Sequence, residues 1–405
     1  MLGLALVGCG GMGCRHIRGL RKLKDIGAHA WDLVAVCDVM PENASRAADL
    51  GETLLGKRPM VFAALDELAG ASDHVDAVIV TTSPDQHEPV GTAAFELGLH
   101  VMVEKPITLT VAQGASLIEA ANRAERTLAV AENYRRDPIN RLARALLDAG
   151  VLGPLHLFVQ ASSGSGEKVI ITPWRHQKRS GGIVVDMGIH YADLMEYFVG
   201  PIRQVFGFNA IVDRQRVDDQ GMWHDVDAED LSVGVAQFKN GAIGNWLINL
   251  AGRGDPLFSR TAYGTGGTLA IPHDRSGRSV GLTLRQNGRD IQIEPEDQLE
   301  LVPEFALDDV TALLFGGNRL SSYLLDYPDI DANLLAIEQA DFAAAIVEGR
   351  PPEVDGPTGL RSLAISYGFL EAERLGRAMH VDDLITNFST PYQLELNTGM
   401  NDELL

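Results

Sequence analysis

Cysteine is scarce in this 405-residue chain: Cys9, Cys14 and Cys37 are the whole set, and no two form a CxxC pair. The count is odd and all three fall within the first 40 residues. That argues against a disulfide scaffold or a zinc knuckle and fits a reducing, cytoplasmic setting. We read them as small buried hydrophobes. Long apolar runs are missing too; no stretch approaches the ~20 residues that a membrane-spanning helix needs. The apolar segment at the N-terminus is short and lacks a basic leader, so no secretory signal is expected. Positive charge is in deficit: 34 Lys and Arg stand against 55 Asp and Glu, for a formal net charge of −21. Such a surface argues against nucleic acid or an anionic membrane as a partner. The sequence holds no repeats and no low-complexity tract.

What is present is an ordinary globular balance, 45% hydrophobic and 22% charged. The length suits two domains. Over the first 130 residues short apolar runs (4–7, 33–37, 75–80, 100–103 and 128–130) alternate with helical patterns. That alternation predicts βαβ units and a parallel sheet covered on both faces. Past residue 150 the pattern changes. Strands are predicted over 155–162, 204–212, 231–238, 242–249, 260–262, 268–271 and 283–286, with Lys239-Asn240-Gly241 as a hairpin turn. The reading is a mainly antiparallel sheet, closed by helices over 331–349 and 358–376. Residues 294–304 and the tail after Asn387 read as solvated loops. The expected domains are a Rossmann unit over 1–130 and a substrate and oligomerisation unit over 131–385, with a tail over 386–405.

Gly8-Cys9-Gly10-Gly11-Met12-Gly13 is a G-x-G-x-x-G between an apolar strand and a helical stretch. The first glycine makes the tight turn, the second admits a pyrophosphate to the backbone, and the third lets helix pack on strand. The helix N-terminus offers free N–H groups and partial positive charge to phosphates. Asp38 lies 25 residues beyond Gly13 at the end of the second predicted strand, where a carboxylate binds ribose hydroxyls. It would repel a 2′-phosphate, so NAD is favoured over NADP.

Further motifs follow in order: Ser83-Pro84-Asp85-Gln86-His87 after the third strand, Glu104-Lys105-Pro106 after the fourth, and Glu132-Asn133-Tyr134-Arg135-Arg136 after the fifth. Asp186, His190 and Asp193 lie within the run 181–193, and the segment 345–352 ends in Gly349-Arg350-Pro351-Pro352. With these motifs the chain resembles the glucose–fructose oxidoreductase, inositol dehydrogenase and rhizopine-catabolism family of sugar oxidoreductases over about residues 2–380. The resemblance implies an α/β fold: an N-terminal doubly wound Rossmann sheet, then a domain with a large, open, mostly antiparallel sheet. It also implies a cofactor site built from Gly8, Gly10, Gly11, Met12, Gly13, Asp38, Thr81, Ser83, Pro84, His87, Glu104, Lys105, Asn133, Trp174 and Arg175. A homodimer or homotetramer is expected by the same analogy. The chain is longer than the family's plainest members, with surplus in 213–227, in 295–327 and after Asp382.

Hydride transfer from a carbinol needs a base for the hydroxyl proton and a group that holds the developing alkoxide. Lys105 stands at the carboxyl end of a predicted parallel strand, where ligands of doubly wound folds gather. Asp186, His190 and Asp193 are spaced i, i+4 and i+7, on one face of a predicted helix. His190 can act as base or relay, with Asp186 fixing its tautomer or binding a substrate hydroxyl; Asp193 is read as orienting His190. The resemblance puts Lys105, Asp186 and His190 around the reacting carbinol. Tyr134, Arg135, Trp174, Arg175 and His176 are the further substrate-binding candidates. Arg175, His176, Lys178 and Arg179 make a basic cluster suited to an anionic or polyhydroxylated ligand. No supporting Cys/His set accompanies the helix, so no metal is expected.

The leading functional expectation is an NAD-dependent dehydrogenase acting on a secondary hydroxyl of a cyclic polyol, sugar or glycoside. The alternative is an NAD-dependent glycoside hydrolase that oxidises a ring hydroxyl transiently, eliminates the aglycone and returns the hydride. A non-catalytic NAD-responsive regulator is disfavoured because both the lysine and the histidine are present.

Overall fold

The computed structural model describes residues 1–28, 30–68, 75–387 and 390–399. Its first part alternates β1 (Leu2–Val7), α1 (Gly11–Asp25), β2 (Trp31–Cys37), α2 (Pro41–Leu55), β3 (Met60–Phe62), β4 (Ala77–Val80), α3 (His87–Glu96), β5 (His100–Glu104), α4 (Val111–Ala124) and β6 (Leu128–Ala131). The six strands are parallel in the order β3-β2-β1-β4-β5-β6. β1, β4, β5 and β6 are almost wholly buried because helices cover both faces, hence their unbroken apolar sequence. β3 is short and exposed at the edge, so the apolar pattern alone does not reveal it. Strand order reverses between β1 and β4, which opens a crevice at the carboxyl ends.

The second part contains α5 (Pro138–Asp148), β7 (Leu155–Ser165), α6 (Ile183–Val199), β8 (Ile202–Ala210), β9 (Gln215–Val217), β10 (Trp223–Asp225), β11 (Leu231–Phe238) and β12 (Ile243–Gly252). It continues through β13 (Leu257–Gly264), β14 (Gly267–Ala270), β15 (Gly281–Gln286), β16 (Arg289–Ile293), α7 (Pro295–Gln298), α8 (Asp309–Phe315), α9 (Tyr327–Glu348), α10 (Gly356–Leu375), β17 (Met379–His380), α11 (Val381–Thr386) and α12 (Pro391–Gly399). Nine strands form one sheet in the order β16-β15-β14-β13-β7-β12-β11-β8-β17. Every neighbouring pair is antiparallel except β7 with β12. β11 alternates cleanly, with Ser232, Gly234 and Ala236 inward and Val233 and Val235 outward. The inner face carries α6 and α10. Phe369 of α10 stacks on Trp246 at 4.4 Å, and a Cβ at Gly234 would lie 2.6 Å from the Phe369 ring. The glycine therefore sets how closely the helix approaches the sheet.

Besides short elements that the pattern does not mark, three differences from the sequence reading bear on the site and its surroundings. Residues 294–304 carry α7 and a 3-10 turn rather than a loop, because Pro295 opens a helix. The tail carries α12, whose Tyr392 and Leu396 are buried; Glu371 accepts the Tyr392 and Gln393 backbone N–H groups at its start. Finally, α9 returns to the first part. Ala336, Phe342 and Ala343 share a core with Leu4, Ile17 and Trp31, and the Trp31 indole N–H donates to the Gln339 carbonyl. The three cysteines are buried and free, as read from the sequence.

Trp246 is fully buried and Trp223 is 56% exposed. Trp246→Ala is expected to lower stability by about 3–5 kcal/mol, and Trp223→Ala by under about 0.5 kcal/mol, as measured by denaturant unfolding.

Candidate active site

A cavity of about 780 Å³ runs along the carboxyl edge of the parallel sheet and beneath the second domain. At one end lies the glycine loop. Gly8 has φ +90, and a Cβ there would sit 2.8 Å from the Thr81 carbonyl carbon. A Cβ at Gly13 would meet the Gly8 carbonyl oxygen at 2.3 Å. These two glycines therefore serve close packing, and Gly13 does not line the cavity. Gly10 and Gly11 face open space. The helix behind them, α1, has Gly10 as its N-cap, no side-chain cap and no acid in its first turn, leaving its leading N–H groups to an anion. Asp38 leaves β2 beside this loop. Its carboxylate accepts the Cys9 N–H at 2.6 Å and the Met40 N–H at 2.8 Å, which fixes its direction. An open phosphate cradle, a helix N-terminus and an oriented carboxylate fit an adenine dinucleotide.

At the other end the two domains meet. Lys105 leaves β5, and its ammonium donates to Asp186 Oδ1 at 3.0 Å and to the Asp186 carbonyl at 3.1 Å. Arg175 donates to the same Oδ1 and lies over the Trp174 ring at 4.8 Å. Burial opposes the Asp186 charge, but Lys105 and Arg175 outweigh it and hold the carboxyl well below the ordinary range. Asp186 Oδ2 has no hydrogen-bond partner among the described residues. His190 lies one turn along α6, stacked on Tyr134 at 3.8 Å and 2°. Its Nδ1 meets both Glu132 oxygens at 2.7 and 2.9 Å. Burial disfavours the Glu132 charge, but His190, the Tyr134 N–H and Lys105 lower its pKa. A charged carboxylate can only accept, so Nδ1 carries a hydrogen, and in the neutral ring the lone pair sits on Nε2.

Lys105, Asp186 and His190 thus come together on the cavity wall, with Tyr134, Trp174 and Arg175. Gly8, Gly10, Gly11, Met12, Asp38, Thr81, Ser83, Pro84, His87, Glu104 and Asn133 line it as well. Other expectations are corrected. The partner that orients His190 is Glu132, neither Asp186 nor Asp193. Asp193 receives a two-pronged ion pair from Arg135, which keeps Arg135 off the cavity wall. His176 is also off the wall. It is buried, its Nε2 accepts the Ile170 N–H at 2.9 Å, and burial with nearby Arg216 pushes its pKa down to about 4. The basic cluster does not converge, since Lys178 pairs with Glu395 of α12. His87 lines the cavity but points both ring nitrogens at the Thr82 and Pro106 carbonyls, a loop-holding position.

Among the wall residues outside the sequence-derived candidates, Arg275 and Tyr327 stand out. Arg275, with φ 61, donates to Asn133 Oδ1 and Tyr327 Oη, and with Arg15 it grips Asp331. Tyr327 comes from the surplus segment 295–327 and reaches the wall at the start of α9. A lone arginine between two strands carries no sequence signal, and Tyr327 falls in a segment that the sequence marks only as surplus length.

The fold and this cavity define a two-domain dinucleotide-binding protein with a buried acid–base cluster at the domain junction. Residues 2–132 match the family described as an oxidoreductase family with NAD-binding Rossmann fold, GFO/IDH/MocA, and residues 140–270 match the GFO/IDH/MocA C-terminal domain. The chain belongs to this family of NAD-binding oxidoreductases. It is 24% identical over 384 residues to myo-inositol 2-dehydrogenase of Thermotoga maritima, covering 94% of this chain and 99% of that one. It is 26% identical over 360 residues to 1,5-anhydro-D-fructose reductase of Ensifer adhaerens, covering 86% and 91%. The solved oxidoreductase domain protein of Kribbella flavida superposes with a TM-score of 0.77 at 24% identity, covering 94% of this chain and 99% of that one.

Asp38→Ala is expected to weaken NAD binding about 10-fold or more, the worth of hydrogen bonds to a charged group, and to weaken NADP less. Calorimetric titration with both nucleotides measures the two affinities.

Proposed function

We propose that the protein transfers a hydride between NAD and a secondary hydroxyl of a cyclic polyol or sugar. The observation that carries this reading is the pairing of His190 with Glu132 opposite Lys105, inside a cavity that also holds the glycine loop. Bound NAD supplies the acceptor for the carbinol hydrogen and its two electrons. The chain supplies the rest. His190 Nε2, its lone pair exposed by the Glu132 bond, takes the hydroxyl proton. Lys105 donates to the oxygen as charge develops, held in line by the Asp186 carboxylate and carbonyl. The unpartnered Asp186 Oδ2 accepts a neighbouring hydroxyl, which favours a substrate with vicinal hydroxyls. Trp174 gives an apolar ring surface on the cavity wall. Relatives named as inositol and sugar dehydrogenases or reductases support this substrate class.

The outer sheet face supports self-association. Phe208 stands opposite Val233 in register, and both are exposed, as is Val235. Three buried free cysteines support a reducing compartment.

With a panel of inositols, sugars and sugar acids, net NADH formation stoichiometric with ketone is the expected outcome. Release of an aglycone without net NADH would instead assign the internal redox cycle of a glycosidase. Lys105→Ala and His190→Ala are each expected to lower kcat by about 10²–10⁴ while NAD remains bound. Full turnover in either variant would remove that residue from the chemistry.

A further inference from the structure

Next to the cavity, and sharing Glu104 with its wall, lies a second group of titratable side chains. His16 of α1, Glu104 of β5 and Glu338 of α9 bring one nitrogen or oxygen each within 4.8 Å of one another, all buried. Glu338 has no exposed surface, and neither of its oxygens has a hydrogen-bond partner among the described residues. A buried carboxylate without partners needs a cation or a proton. The local hydrogen bonds decide between them. Gln339 Nε2 donates to the His16 carbonyl at 3.0 Å, which fixes that atom as the amide nitrogen, because a carbonyl only accepts. The same nitrogen meets His16 Nδ1 at 3.0 Å, so Nδ1 is the acceptor and Nε2 carries the hydrogen, donating to Glu104 Oε1 at 2.9 Å. His16 therefore has no lone pair left for a metal ion. Glu104 Oε2 is engaged as well, by the Lys105 N–H at 3.1 Å.

We propose that Glu338 stands as a neutral carboxylic acid beside Glu104, a positioning residue whose proton keeps the charge behind the active site low and so sets the basicity of the Glu132–His190 pair. The charged and titratable groups that face it agree. Burial pushes Glu338 well above the ordinary carboxylate range, and Glu104 and Glu132 push the same way against Arg136 and Arg275. If Glu338 lost its proton, its carboxylate would stand within 4.8 Å of that of Glu104, and the added negative charge would act on the Glu132–His190 pair. The catalytic half of this proposal rests on His190 being the base.

The sign of the linkage follows. Near pH 4 and below, Glu338 is neutral folded and unfolded alike. As pH rises, the unfolded chain loses this proton while the folded chain keeps it, so the group costs stability progressively up to its folded pKa. Glu338→Gln removes that cost. The thermal midpoint of E338Q relative to wild type, each saturated with NAD, is expected to climb by about 1–2 °C per pH unit from pH 5 to 8. A gap that is constant with pH overturns the neutral acid. So does a wild-type enzyme that EDTA destabilises and added Mg²⁺ restores while E338Q is indifferent, because that pattern assigns a cation. In turnover, the wild-type kcat/KM profile is expected to bend downward on its alkaline side, and E338Q to lack that bend. Profiles of the same shape, differing only in height, overturn the coupling to His190. The melts need no turnover, so failure of the His190 assignment and failure of the neutral acid are told apart.

Discussion

The ion pair between Lys105 and Asp186 joins the two halves of the molecule at the point where the chemistry is placed. One partner leaves the carboxyl end of β5 and the other sits in the first turn of α6. Both are largely shielded from water, so neither charge is tolerable alone. Breaking such a pair by removing one partner costs about 3–5 kcal/mol, whereas a packed hydrophobic pair in its place is often neutral or better. Stability is therefore a poor reason for it to be there. The pair fixes a cation at the cavity wall, and the fold arranges itself to keep that cation in place. Arg175 shares the Asp186 oxygen, and the Gly181–Gly182 turn, both residues at positive φ, delivers α6 to the cavity.

Much of this was legible before any coordinates. The parallel sheet follows from strands buried on both faces, and the cofactor end from glycines whose spacing has only one economical geometry. Lys105, Asp186 and His190 were legible because a strand end and a single helical face each constrain direction. One cause of what the sequence conceals is that side chains meet across long sequence separations. Glu132 and His190 are 58 residues apart, and no local pattern states that they meet. Arg135 and His176 were assigned to the substrate because composition counts charge without direction; one is spent on Asp193 and the other faces a backbone N–H. The tail failed for a different reason. Its helix is short and weakly apolar, and it stands because Glu371 caps it and Tyr367, Lys178 and Arg374 surround Tyr392.

The second sheet shows how an antiparallel pattern conceals one parallel pair. β12 alternates burial over most of its length and β7 over Leu157–Gln160, as strands in a half-covered sheet do. Alternation reports which face is covered and carries no information on the direction of the neighbour. The parallel pair arises because α6, β8 and β11 intervene before the chain returns beside β7. That excursion places α6 across the inner face, with its polar side chains toward the Rossmann domain. The topology is thus the means by which Asp186 and His190 arrive opposite Lys105.

Charge is sorted by depth around the cavity. Lys105, Arg175 and Arg275 present cationic groups to the cavity, with Arg15 beside them. Behind this wall lie Glu132 and Glu338, with Glu104 at its inner edge, all almost or wholly without exposed surface. A field of this sense favours negative charge at the wall and positive charge behind it. An alkoxide forming on a substrate oxygen meets cations, and a proton leaving it moves toward carboxylates. The helix that completes the inner layer, α9, comes from the C-terminal half of the chain yet packs on β1, β2 and α1. Its return explains why the surplus segment before it ends at Tyr327 on the cavity wall while Glu338, three turns further along, faces the back of the same site. A single helix thus spans both layers of charge, and its docking on the Rossmann core holds the two in register.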